Sequence, residues 1–196
     1  MSSKLMCWVA LDRASRLAEI RGDPNMAATW RATADEIQAD VLAHGVSDRG
    51  VLRQHYGTDA LDASTLLAAI FGFLPDDDKR LRATVLAIAD ELTESGFVLR
   101  YRTDETDDGM SGKEGTFVIC SFWLVSALAV IGEMQRARDL MERLGRVASP
   151  LGLYAEEFDV DTGRHLGNFP QAFSHLALVE AAGRIVLADR LAELGQ

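Results

Sequence analysis

The helical stretches of this chain alternate between two kinds, and that alternation most limits how it can fold. Residues 25–43 carry Met26, Trp30, Ala34, Ile37 and Val41 at spacings of four and three, with charges elsewhere. Residues 79–94 repeat this with Leu81, Val85, Ile88 and Leu92, and residues 133–147 with Met134, Ala137, Leu140, Met141 and Leu144. Such one-faced helices bury a stripe and leave the rest in water. Between them lie segments apolar nearly all round: about 4–20 in its first half, 61–73, 116–131 and 171–182, with a last amphipathic piece at 184–194. A helix apolar on every side must be covered on every side. The order inner, outer, inner, outer, inner, outer, inner is satisfied by two concentric helical layers. Composition points the same way: Ala (27) and Leu (25) lose little on entering a helix, and proline occurs only four times.

Pro24 and Pro75 sit just ahead of helices, the latter with Asp76 or Asp77 available as an N-cap. Three long loops, near 46–60, 95–115 and 149–169, have midpoints about 53 residues apart, so one helix pair plus one loop is the repeating unit. The loops also begin alike. Gly50, Gly96 and Gly152 are each followed, four and five positions on, by a polar pair: Gln54/His55, Arg100/Tyr101 and Glu156/Glu157. Repetition around an axis brings these pairs to one rim. Long loops in compact domains usually carry function.

The formal net charge of −10 disfavours a sequence-independent nucleic-acid binder and docking on an anionic membrane. Gly115 to Gly132 lacks charge, but Thr116, Ser121 and Ser126 interrupt it and no basic flank follows; it reads as a buried helix, not a membrane span. Cys7 and Cys120 could form one disulfide, but small buried free thiols are the reading preferred. The residues from Met1 to Lys4 do not open a basic-then-apolar leader, so a cytoplasmic location is expected. His44, His55, His165 and His175 have no metal spacing, and no nucleophile elbow or phosphate-binding glycine loop is present. The run Asp104–Gly109 has the start of a calcium loop, but position twelve falls on Gly115, with Glu114 one residue early. It reads as a solvated acidic loop.

What remains is Glu156/Glu157, flanked by Tyr154 and Phe158. Carboxylates beside aromatic rings suit sugars, whose apolar faces stack while hydroxyls bond to carboxylates. Glycoside hydrolysis needs two separated carboxyl groups. A solvated surface pair is the plainer alternative.

The run Gly152–His175 resembles the C-terminal motif of glycoside hydrolase family 15, the glucoamylases and bacterial trehalase-like enzymes. Ser3–Arg13, Tyr56-Gly57 with Leu61–Ser64, Arg100-Tyr101, Glu114–Phe117 and Cys120–Trp123 match in order. The resemblance implies an all-α fold, a partial (α/α)6 toroid of inner and outer helices incomplete at its N-terminal side, with residues 1–196 one domain forming the C-terminal half. It implies inverting hydrolysis of terminal α-glucosidic bonds, in oligosaccharides or in a disaccharide such as trehalose, with no metal or organic cofactor. It makes Glu156 the general base, puts Glu157 beside the attacking water or the sugar, has Arg100 and Tyr101 contact sugar, and places Phe117 and Phe173 on the glucose pocket. The family's general acid lies in a Trp-Glu motif upstream of the segment that here starts at Ser3, so these 196 residues alone are expected to be inactive or nearly so. The alternatives are a non-catalytic helical-repeat module that binds carbohydrate, with an open edge covered by self-association or a companion N-terminal half, and a phosphate-using glycoside phosphorylase.

Overall fold

Three helix starts in this chain are set by aspartate caps. Asp23 accepts the Met26 N–H and Pro24 fills the first helical position, which opens α2 (Pro24–His44) one turn after α1 (Ser2–Ile20) ends. Asp62 accepts the Ser64 N–H at the head of a 3-10 turn, Ala63–Leu66, which runs into the single turn α3 (Leu67–Ile70). Asp78, not Asp76 or Asp77, caps α4 (Lys79–Glu91) by accepting the Arg80 N–H at 2.8 Å. The others are α5 (Val118–Val130), α6 (Met134–Arg146) and α7 (Ala172–Glu193). The computed structural model describes residues 1–106 and 114–195; residues 107–109 of the acidic run named above lie outside them.

The two kinds of helix take the two expected layers. α5, the most apolar, buries nine side chains from Val118 to Leu128 and packs against α3, α4, α6 and α7. α2 and α6 bury one stripe each, Ala27, Ala34 and Val41 in the first and Ala137, Leu140 and Leu144 in the second. Three expectations need correction. Residues 61–73 hold two short turns in place of one helix. Residues 172–193 form one helix in place of two, because Gly183 stays helical with open space beside it; a glycine there costs only about 1 kcal/mol. Cys7 is exposed, since the buried face of α1 runs through Leu5, Trp8, Val9 and Asp12 and leaves it on the other side; Cys120 is buried, and burial pushes its thiol well above the usual range.

Covering is also incomplete at the two ends of the helix order. α7 buries only Ser174, Ala177 and Ala181, while Leu176, Val179, Val186 and Leu187 are each more than half exposed. On α1, Met6, Leu17 and Ile20 face outward. First and last helices of an inner layer lack a neighbour on one flank.

The loops hold five short strands: β1 (Thr93–Glu94) pairs with β2 (Phe97–Val98), and β3 (Thr116–Phe117) with β4 (Glu157–Asp159), which also pairs with β5 (Arg164–Leu166). The tight turns at Gly50, Gly96 and Gly152 all use positive φ, between 74° and 84°. After each turn the chain returns to the start of its own helix pair. Gln54 O accepts from the Met1 backbone nitrogen at 2.6 Å, Arg100 O from Ala63 N–H at 2.9 Å and Glu156 O from Val118 N–H at 3.0 Å. The first member of every polar pair thus satisfies a donor left open at an inner-helix start.

Each return segment is also stitched to a later helix. The buried N–H groups of Leu52, Val98 and Tyr154 donate to Thr84 Oγ1, Ser121 Oγ and His175 Nε2. Replacing Ser121 by Ala leaves the Val98 N–H buried without an acceptor. The expected loss is about 1–3 kcal/mol in urea denaturation, and an unchanged midpoint would show that the stitch contributes nothing.

Candidate active site

The polar pairs of the second and third loops meet around β3 and β4. Thr116 pairs with Phe158 and Phe117 with Glu157, so Phe117 and Glu157 stand directly opposite and share one face. Arg100 joins that face. Its guanidinium carbon lies 5.2 Å from the centre of the Phe117 ring and 4.4 Å from that of Tyr101. One of its nitrogens bonds to Glu114 Oε1 at 2.5 Å. Two aromatic rings and a carboxylate fix the planar fork of Arg100, which makes it a directed donor rather than a roaming charge. Tyr101 is anchored in turn by a backbone bridge to Asp62.

Glu157 is half-buried beside this cluster and accepts the Gly115 N–H at 2.8 Å. Burial pushes its carboxyl group above the usual range. The Gly115 N–H opposes that shift, Glu114 and Glu156 add to it, and Arg100 opposes it. A carboxyl group so poised holds its proton more readily than a free one and can donate or accept to a sugar hydroxyl.

Glu156, one residue before β4, bonds to a different partner. Its Oε2 accepts from Asn168 N–H at 3.2 Å and Asn168 Nδ2 at 3.0 Å. The adjacent carboxylates thus take separate donors, Gly115 for Glu157 and Asn168 for Glu156. Their backbone is fixed by β4 and by the Val118 N–H bond at the head of α5.

Glu156, Glu157, Arg100, Tyr101 and Phe117 are thus gathered by one small sheet and the heads of two inner helices. Phe173 lines a different feature. It sits, mostly exposed, at the second residue of α7, on an apolar groove with Leu67, Ile70, Phe71, Ile119 and Trp123. From the first loop, the Gln54 side chain accepts from Thr106 Oγ1 at 3.1 Å, while His55 bonds locally to the Gly57 N–H. Sequence reasoning passed over Glu114 and Asn168 as site residues. Glu114 reads in the sequence as an acid one place short of a calcium loop and as the start of the Glu114–Phe117 match. Asn168 was visible as the end of a Gly-Asn turn signal. Among the described residues no group of three His, Cys, Asp or Glu side chains is placed to hold a metal ion, and no helix is long and apolar enough to cross a membrane.

Comparison with known proteins places these features in a wider setting. Residues 1–183 match the model of the Glycosyl hydrolases family 15. A trehalase of Mycolicibacterium smegmatis is 67% identical over 98% of this chain, which spans 29% of that protein's length. Among solved structures, a glycosidase superposes with a TM-score of 0.76 at 25% identity, covering 90% of this chain and 49% of its own. A bacterial glucoamylase complexed with acarbose gives 0.76 at 16% identity, covering 94% of this chain and 33% of its own; at that identity it speaks for the fold alone. The inner and outer helices described above are part of an (α/α)6 toroid.

Proposed function

The chain belongs to glycosyl hydrolases family 15, and on that premise we propose that it carries the water-activating side of an inverting α-glucosidase site, with Glu156 as general base. The observation that carries this reading is the placement of Glu156 at the head of α5: one carboxylate oxygen is held by Asn168, and no donor among the described residues reaches the other. A base needs an unengaged oxygen within hydrogen-bond reach of water. Arg100, fixed between Glu114 and two rings, binds sugar hydroxyls by charge-assisted hydrogen bonds. Tyr101 and Phe117 offer ring surface to the sugar, and Glu157 bonds a hydroxyl or neighbours the water, while Phe173 stays on its separate apolar groove. The substrate is a disaccharide or oligosaccharide ending in α-linked glucose, with trehalose favoured by the relative at 67% identity.

In the reaction, Glu156 takes a proton from water as the water oxygen attacks the anomeric carbon on the face opposite the leaving group. The glycosidic C–O bond breaks through an oxocarbenium-like transition state. The proton for the leaving oxygen comes from a second carboxyl group about 6.5–9.5 Å from the first. We assign that acid to residues outside these 196.

The test follows product anomers by proton NMR while the full-length gene product is incubated with trehalose or maltose. Initial appearance of β-glucose is expected; α-glucose alone would remove inversion. The 196-residue chain by itself should release no glucose, and steady release would overturn the division of acid and base.

A second reading is favoured by the exposed strip Leu176, Val179, Val186 and Leu187 on α7. Contiguous exposed apolar side chains mark association, and a non-catalytic module held to a companion or to itself through this edge accounts for them. Sugar binding without hydrolysis by the full-length gene product would select it.

A further inference from the structure

Gly167 and Asn168 follow β5 and close on the side chain of Glu156. Three hydrogen bonds join Asn168 to this one residue. The Glu156 N–H donates to Asn168 O at 2.9 Å, and Oε2 accepts from both the Asn168 N–H and Nδ2. The approach is close enough to require glycine next door. Gly167 has φ +68°, and a Cβ there would stand 2.8 Å from Glu156 Oε2 and 3.0 Å from Glu156 Cβ. Neither Gly167 nor Asn168 is buried. The contact is therefore made at the accessible edge of the sheet, not in the core.

We propose that Asn168 is a positioning residue that selects Glu156 Oε1 as the oxygen acting on water. A glutamate side chain has three torsions, and a free one spreads its carboxylate over many placements. Two donors on Oε2 select one placement and occupy the lone pairs of that oxygen. Oε1 is left without a donor among the described residues and faces whatever water enters. The Asn168 amide carries no charge and loses no proton, so it orients the carboxylate without competing for the proton that Glu156 must take. Gly167 is the space this needs. The assignment rests on Glu156 being the base.

The test is a double-mutant cycle in the full-length gene product. Asn168→Ala should lower kcat roughly tenfold to a hundredfold, the usual effect of a small misplacement of a reacting group, with KM changed less than about threefold. In a Glu156→Ala background the same substitution should change the residual rate less than about twofold, because nothing remains to be positioned. Equal losses in the two backgrounds, which a packing or folding defect would give, overturn the assignment, as does a loss confined to KM. Near-normal turnover by Glu156→Ala alone fails differently: it removes the base itself, and the role of Asn168 with it.

Discussion

Glu156→Gln in the full-length gene product should lower kcat by roughly 10² to 10⁴, the usual worth of a positioned general base. The amide keeps the shape of the side chain and replaces an oxygen that takes a proton with a group that cannot. Bonding to Asn168 survives because one amide oxygen remains to accept it, so the sheet should not move. KM should change little, since the lost interaction matters in the transition state more than in the bound ground state. Glu157→Gln is the control. That carboxyl group faces Arg100 and Phe117, accepts the Gly115 N–H, and is pushed up by burial. Its replacement should raise KM more than it lowers kcat. The reverse pattern, with Glu156→Gln active and Glu157→Gln dead, would move the base to Glu157.

The largest effect on stability is expected at Asp12. This carboxylate is 1% exposed, yet Arg31 Nη1 stands 2.8 Å and Arg16 Nε 3.2 Å from it, with Arg13 also in contact. Arg13 reaches on to the carbonyl of Phe71 at 2.8 Å, so one buried charge ties α1 to α2 and to the end of α3. Burial alone would push its carboxyl group up. Hydrogen bonds from Arg31 and Arg13 and the charge of Arg16 outweigh burial and hold it below the usual range. Asp12→Ala strands guanidinium groups that are themselves partly exposed, so the cost should fall near the low end for a broken buried pair, about 3 kcal/mol. The sign with pH follows from the lowered value. Asp12 contributes fully above the unfolded carboxylate range near pH 4, and the contribution fades as pH falls through its folded value. Urea midpoints at pH 7 and pH 3 check both parts: the gap between native chain and Asp12→Ala should narrow at pH 3. A constant gap would mean that packing, not charge, carries the effect.

Much of this architecture is legible in the residues because burial leaves a period. The stripes through Ala34 and Val41 and through Ala137, Leu140 and Leu144 fall at helical spacing, and the outer helices follow. α5 is uniformly apolar because it is covered on all sides. The first half of α7 also reads as apolar nearly all round and is not fully covered, since composition records which sides want a partner and not which have one. The strands were invisible for another reason: two or three residues are too few to show alternation. That hid the central fact of the site, that the adjacent glutamates bond to separate partners, Glu157 to the Gly115 N–H and Glu156 to Asn168. The motif around Glu156 carried the resemblance to the family whose model residues 1–183 match. Its neighbour Asn168 emerged only once β5 brought a residue twelve positions away onto the same oxygen.

The return of each loop to its own helix pair bears on how the chain assembles. The closing bonds span 53 residues in the first unit, from Met1 to Gln54, and about 40 in each of the next two, from Ala63 to Arg100 and from Val118 to Glu156. None waits for the whole sequence. Loop closure of this size costs little entropy beyond that of a shorter loop. A polypeptide leaving the ribosome N-terminus first can therefore complete the backbone bonding of one unit before the following helices have been synthesised. Thr84, Ser121 and His175 then enlist the later arrivals one acceptor at a time.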